Sequence, residues 1–363
     1  MFTCGEIFIT SWYVLGATEL TSGLPGPTPL SLECDRSFGR TLYCVADTWG
    51  HSFRLYRYLR LIVHCFSHWT FRPIPLPENP CLTSEDVTVI IPTINGNTPQ
   101  FRETLRSILL TKPHNILLVT IDANLKSLAE LARDASSECI QVFSVTHANK
   151  RRQMCRAIPE VTTKITVLAD DDVTWPPNIL HWLLAPLEMA DIGGVGPSQR
   201  LHRPEKPNLW DFLGAVYLER RNFEMSATTH LDGGISCLSG RTAAYRSQIL
   251  QDPAFMANFT NEFWRGKYHL NADDDNFITR WLVAHGWRTQ IQYSDEAELL
   301  TTLEGNPKFL KQCLRWSRSN WRSNLKSMFS EKHIWRSVGS HLLSSSILRF
   351  LVEACRRHVP RHN

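Results

Sequence analysis

Two acidic triplets carry the most chemistry in this sequence, Asp170-Asp171-Asp172 and Asp273-Asp274-Asp275. Three adjacent carboxylates repel one another unless a cation neutralises them. In an extended segment Asp170 and Asp172 point one way and Asp171 the other. Two hard oxygen ligands then suit Mg²⁺ or Mn²⁺ and leave coordination sites open for phosphate oxygens. A solvated turn or a helix cap before Pro176-Pro177 is the plainer reading of such a triplet. The second triplet precedes Phe277 to His285, which reads as an amphipathic helix. Aspartates at a helix start are favoured by capping and by the helix dipole, so a structural role competes there. Together the triplets suggest a division of labour in which one holds a metal and the other supplies a base.

Basic and aromatic residues complete the set. Lys150-Arg151-Arg152 lies in His147-Ala-Asn-Lys-Arg-Arg-Gln153. Cations beside a metal–carboxylate site suit a diphosphate. Downstream, Gln312, Arg315 and Trp316 fall at i, i+3 and i+4 and share one face of a helix. An amide, a guanidinium and an indole on one face can engage a leaving phosphate and stack on a sugar ring. An Arg/Trp surface helix for nucleic acid or membrane is the competing explanation.

These side chains need a frame, and the sequence supplies one. Val87–Pro92, Ile116–Ile121, Ile140–Val145 and Ile165–Leu168 are short apolar runs that read as buried strands. Thr98–Leu110, Leu125–Ala135 and Asn149–Ile158 read as the helices between them. That alternation predicts βαβ units and a parallel sheet. Ligands of such sheets bind beyond the carboxyl ends of the strands. The residues found there are Pro92-Thr93, Asp122, the HANKRRQ segment and the first Asp triplet. No G-x-G-x-x-G follows the first strand and no phosphate-binding G-x-x-x-x-G-K-[ST] occurs, which argues against a dinucleotide fold and a P-loop.

The 363 residues are 43% hydrophobic and 20% charged, which excludes disordered, collagenous and coiled-coil classes. Ten cysteines include no CxxC pair and no Cys/His cluster with zinc spacing, so thiols in a reducing compartment are expected. The net charge of +4 is uneven: Gly305 to Asn363 holds twelve Lys/Arg against two Asp/Glu. Such a tail suits anionic lipid, nucleic acid or a phosphate-rich substrate. No apolar run reaches about 18 residues, so no transmembrane span is secure. Met1–Leu20 makes a poor signal peptide, and Val338–Cys355 is interrupted by His341, Arg349 and Glu353. Leu55–Trp69 is aromatic, amphipathic and basic, and suits a membrane surface or an ordinary docked helix equally. Phe71–Pro80 carries four prolines and reads as an extended linker, which places a boundary near residue 70.

The ordered set VIIPT, Asp122, HANKRRQ, ADDD, LSGRTAAYR, NADDDNFITRW and QCLRW resembles the inverting family 2 glycosyltransferases. The resemblance is to the branch of hyaluronan, chitin and cellulose synthases, in particular its fungal polysaccharide-synthase-like members. It implies an α/β GT-A fold, a mostly parallel sheet flanked by helices with helical or irregular extensions at both ends. The expected division is an N-terminal extension over 1–70 with a membrane-surface helix, a GT-A domain over 71–326 and a basic tail over 327–363. The implied reaction moves a sugar from a UDP-sugar donor to an acceptor hydroxyl, with Mg²⁺ or Mn²⁺ as cofactor. By motif position Asp122 contacts the uracil, Lys150 and Arg151 lie near the nucleotide, and Asp170 and Asp172 hold donor and metal. Gly240 borders the acceptor site. Asp275, second of the pair Asp274-Asp275, is the general base. Arg315 meets the diphosphate, while Gln312 and Trp316 meet the acceptor. The implied acceptor is a glycan or a small molecule; no nucleic acid is expected. The expected location is a membrane surface with the catalytic domain facing the cytoplasm.

Two departures stand out. Polymerising members thread their product through transmembrane helices after QxxRW, and here a short, basic, broken segment follows Lys326. Single-sugar transfer to a small molecule or secondary metabolite, and a truncated synthase that only binds, are therefore the alternatives. Strand two also ends in Ile-Asp-Ala-Asn rather than the family's more usual Asp-Asp-Gly-Ser.

Overall fold

The structure is a computed structural model and describes residues 55–135 and 138–333. The N-terminal 54 residues, the stretch Val338–Cys355 and most of the basic tail lie outside the described residues. A helix over 55–70 (α1) leads into an extended segment. The first half then alternates as its apolar runs require: β1 (Val87–Pro92), α2 (Pro99–Leu110), β2 (Asn115–Ile121), α3 (Leu125–Asp134), β3 (Ile140–Val145), α4 (Lys150–Ala157) and β4 (Ile165–Ala169). The side-chain period of two divides each strand between the sheet's two faces. Val87, Val89 and Ile91 of β1 join one core cluster and Ile90 the other. Ile116 and Leu118 of β2 follow the first, Leu117 and Val119 the second. Polar caps set the helix starts. The Thr98 side chain accepts from the Phe101 amide, and that of Asn149 from the Arg152 amide.

The second half adds β5 (Val173–Thr174), α5 (Ile179–Leu184), β6 (Ile192–Pro197), β7 (Gln199–Leu201), α6 (Leu209–Asp232), β8 (Thr242–Arg246), α7 (Ser247–Leu250) and α8 (Pro253–Thr260). After a small hairpin of β9 (Phe263–Trp264) and β10 (Tyr268–His269) come α9 (Asp274–Ala284), β11 (Arg288–Gln292), β12 (Leu299–Thr301) and α10 (Lys308–Leu325), which continues into a π-helical turn over Lys326–Glu331. The main sheet has seven strands in the order β11-β6-β8-β4-β1-β2-β3. Pairings β1–β2, β1–β4, β2–β3 and β6–β11 are parallel, while β8 runs antiparallel to both β4 and β6. The architecture is therefore the mostly parallel, helix-flanked α/β sheet that the resemblance implies.

Three features position the site. First, β8 is reversed, so its beginning lies at the carboxyl end of β4: Thr242 pairs with Ala169, and the Asp170 amide donates to the Arg241 carbonyl at 2.9 Å. Ser239-Gly240-Arg241 thus arrives beside the first Asp triplet. Second, buried Gln153 of α4 donates to the carbonyls of Thr93 and Val119 at 3.1 and 2.7 Å, tying the ends of β1 and β2 together. Third, α9 begins at Asp274, earlier than the periodicity predicts, so Asp274 and Asp275 occupy its first turn.

α1 lies on the C-terminal half of α6. The Ser67 hydroxyl donates to the Ala227 carbonyl at 2.7 Å, and His68 Nδ1 lies 2.7 Å from the Ser226 hydroxyl. His64 and Ser67 are buried there, whereas Leu55, Tyr58, Leu59, Ile62, Phe66 and Trp69 are exposed. The helix presents its polar stripe to the protein and its apolar stripe outward.

Candidate functional site

The carboxyl ends of β1 and β4, the start of β8, the first turn of α9 and one face of α10 enclose a cavity of about 670 Å³. Its walls include all three residues of the first Asp triplet, all three of the second, Lys150, Gly240, Gln312, Arg315 and Trp316. These residues come from segments far apart in the chain, yet the sheet ends gather them.

The first triplet lies in the turn between β4 and β5 rather than in extended backbone, and its three side chains take different partners. Asp171 turns inward and accepts from the Thr93 hydroxyl at 2.7 Å. Burial pushes its carboxyl up, against the pull of that hydrogen bond. Asp170 accepts an ion pair from Lys150 Nζ at 2.7 Å. Among the described residues Asp172 accepts a long 3.4 Å bond from the Thr302 hydroxyl. Burial, with the negative charge of Asp170, pushes its carboxyl up to about 6, and Arg241 offsets part of this. A half-buried carboxylate pair in want of positive charge fits a hard divalent cation. Among the described residues no three His, Cys, Asp or Glu side chains close a metal cage.

Lys150 links the two triplets. Its ammonium lies 2.7 Å from Asp170 and 3.0 Å from Asp274. Burial alone would lower its pKa; the two carboxylates more than reverse this and hold the ammonium firmly charged. Asp274 is buried, while Asp275 keeps partial access to the cavity. Desolvation and the neighbouring charge of Asp274 raise the Asp275 carboxyl, which makes it a better proton acceptor. Gly240 leaves the space these groups need. A Cβ at that position would lie 3.1 Å from both Asp274 Oδ2 and Lys150 Nζ.

On the opposite wall, Trp316 stacks on Tyr217 with centroids 5.1 Å apart and planes at 24°. The Arg241 guanidinium stands 5.3 Å from the Trp316 ring centroid. Burial and the nearby charge of Arg221 lower the pKa of Arg241. Tyr217 and Arg221 also line the cavity, and sequence reasoning did not find them. The signals that mark α6 were present: the capping box of Asn208 and Asp211 at its start and left-handed Gly233 at its end. Tyr217 and Arg221 then share a face by their i, i+4 spacing.

Two residues expected at the nucleotide are not among the residues that line this cavity. Asp122 stands exposed at the end of β2 in a single 3₁₀ turn, whose Asn124 donates to the carbonyl of the wall residue Ile94. Arg151 is 1% exposed and points into the protein behind the second triplet. It donates to the carbonyls of Phe259, Ala272 and Asp273 and pairs with Glu262 at 2.9 Å. Consecutive residues of a helix point about 100° apart, so Lys150 and Arg151 cannot share the cavity face.

Comparison with known proteins agrees with this geometry. The model of the family described as "Glycosyltransferase like family 2" matches residues 85–319. A "Type 2 glycosyltransferase" of Zymoseptoria tritici is 62% identical over 279 residues, covering 77% of this chain and 59% of the relative. One of Pyricularia oryzae is 54% identical over 322 residues, covering 86% and 65%. An NDP-glycosyltransferase of Aspergillus luteorubrus is 33% identical over 268 residues, covering 71% and 65%. The chain thus spans less than two thirds of the length of these relatives.

Proposed function

The chain belongs to glycosyltransferase family 2, and from that premise we propose that its cavity transfers a glycosyl group, with inversion, from a UDP-sugar to an acceptor hydroxyl. The observation that carries this reading is the convergence of both Asp triplets and the Gln312–Arg315–Trp316 face on one cavity. A nucleoside diphosphate donor is in keeping with the name of the Aspergillus relative.

In the proposed reaction Asp275 accepts the proton of the acceptor hydroxyl as its oxygen attacks the anomeric carbon. The bond from that carbon to the diphosphate oxygen breaks on the opposite face, and the configuration inverts. Asp274 is occupied by Lys150 and serves to hold that cation between the triplets. Lys150 and Arg315 meet the charge gathering on the departing diphosphate. Asp170 and Asp172 would hold Mg²⁺ or Mn²⁺, which when bound supplies further charge neutralisation at the diphosphate. Trp316, held between Tyr217 and Arg241, borders the acceptor side of the cavity, with Gln312 beside it and Gly240 leaving room. The outward apolar stripe of α1 supports placement at a membrane surface. No helix among the described residues is long and apolar enough to cross a membrane.

The test is a panel of UDP-sugars with Mg²⁺ or Mn²⁺, read by release of UDP in the presence of glycan and small-molecule acceptors. Metal-dependent release from one or a few donors is expected. Tight UDP binding without release from any donor would reduce the chain to a binding protein, and full release in excess EDTA would remove the metal from the reading.

A further inference from the structure

The base-bearing turn has an unusual backbone. Asp273 occupies the N-cap position of α9 with φ +68° and ψ 33°, the left-handed region. For a residue with a side chain that region is strained, and Asp is one of the few that visit it. An aspartate at an N-cap ordinarily offsets some of this strain by accepting from the helix amides. Asp273 makes no such bond. Its carboxylate instead accepts from Arg322 Nη2 at 2.7 Å, and its carbonyl from Arg151 Nη2 at 3.0 Å.

Arg151 is built in for this contact. Nη2 also reaches the Ala272 carbonyl at 2.7 Å, so one nitrogen bridges consecutive carbonyls of the turn. Nη1 is fixed by Glu262 and the Phe259 carbonyl, and the guanidinium lies 5.2 and 5.3 Å from the ring centroids of Phe259 and Phe277. Glu262 is shared with Arg280 and with Lys326 of the turn after α10. Burial alone would raise the Glu262 carboxyl; these cations more than reverse that and hold it below its ordinary value. The helix that bears Arg322 also bears Gln312, Arg315 and Trp316, and it is pinned to α9 by bonds from Asn276 to Ser319 and Asn320.

We propose that Arg151 and Arg322 are positioning residues that clamp Asp273 in its left-handed conformation from two sides, thereby aiming Asp275 at the acceptor and setting it in register with the α10 face. The inference rests on the transferase reading of the cavity. Neither guanidinium needs to touch donor or acceptor. A relaxed turn would rotate the first turn of α9 and displace the Asp275 carboxylate, and a misplacement of about 1 Å costs roughly 10²-fold in rate.

The test uses the full chain as Arg151→Lys, Arg322→Lys and Arg322→Gln. Lysine keeps the charge beside Glu262 or Asp273, and at position 151 it loses the fork that joins Glu262 to the turn carbonyls. UDP affinity is measured calorimetrically with Mn²⁺, turnover with the best donor of the panel, and amide hydrogen exchange over residues 271–277. The expected result is UDP affinity within about twofold, kcat down about 10–100-fold and faster exchange in that segment. Arg322→Lys should recover part of the kcat lost in Arg322→Gln. UDP affinity falling in parallel with kcat in Arg151→Lys would make Arg151 a nucleotide contact and overturn the clamp. Unchanged kcat and unchanged exchange in folded variants would also overturn it. Where Arg151→Lys does not fold, the Arg322 pair decides by the same readouts. A wild-type chain that releases no UDP would sink the transferase reading alone, because UDP affinity and exchange still judge the clamp.

Discussion

Asp275 and Asp172 are both carboxylates pushed up by burial, and their surroundings predict different responses to the same substitution. Asp275→Asn is nearly isosteric and cannot take a proton. It should bind UDP with Mn²⁺ as wild type does and lose about 10²–10⁴-fold in transfer, measured by single-turnover kinetics. A variant within a few-fold of wild type would move the base elsewhere, first to Asp274. Asp172→Asn should also lose transfer, yet gain stability when metal is chelated. The folded-state carboxyl titrates near 6 and the unfolded one near about 4, so the native state carries the extra proton between those values. Wild-type stability therefore falls as pH rises through that window. The advantage of Asp172→Asn should be complete above about pH 6, at most about 3 kcal/mol, and vanish below about pH 4. Melting curves in EDTA at pH 4 and pH 8 check this; equal differences at both would contradict it. Most of the cavity was legible at this scale because its charged residues stand in clusters: one triplet directly after β4, a second at a helix start, and Arg315 on one helix face with Gln312 and Trp316. Arg151 was not, because three consecutive cations at a helix start read alike in sequence while the helix turns one to the cavity and another to the core.

Among the elements, β1, β2 and β4 were legible because apolar runs buried on both faces leave little choice, and the half-exposed edge strand β3 because Ile140, Val142 and Val145 keep β-branched residues in a short run. The other half of the sheet was not. β6 reads Ile-Gly-Gly-Val-Gly-Pro, β8 is short with two alanines, and β11 is polar at every position but Ile291. Their strand character comes from close packing rather than propensity. A Cβ on Gly193 would lie 2.8 Å from that of Trp287, and one on Gly194 2.7 Å from Leu238 Cδ1 and 2.9 Å from Leu282 Cδ1. Gly194→Ala should consequently lower stability by about 1–3 kcal/mol through overpacking, in spite of alanine's smaller backbone entropy cost. Urea titration measures it, and a stabilised variant would show that Leu238 and Leu282 shift freely. α6 escaped sequence reading because both its ends were visible only as caps while its exposed face is apolar at Leu209, Phe212, Leu213 and Val216.

At the scale of the molecule, the inverted stripe of α1 predicts peripheral binding to anionic vesicles. Replacing Leu59, Ile62 and Phe66 together with glutamate should abolish flotation with such vesicles while leaving the circular dichroism spectrum intact, because none of the three is buried. Flotation unchanged by the triple substitution would assign any attachment to another part of the chain. The placement of β8 between β4 and β6 has a separate consequence, for the order in which the chain is made. Both main-sheet neighbours of β6, β8 and β11, lie downstream of it in sequence. A growing chain thus holds an apolar, glycine-rich strand with no ladder partner until residue 246 has emerged, a state open to pairing with other chains. Ribosome release anywhere between Pro197 and Arg241 leaves that edge permanently bare.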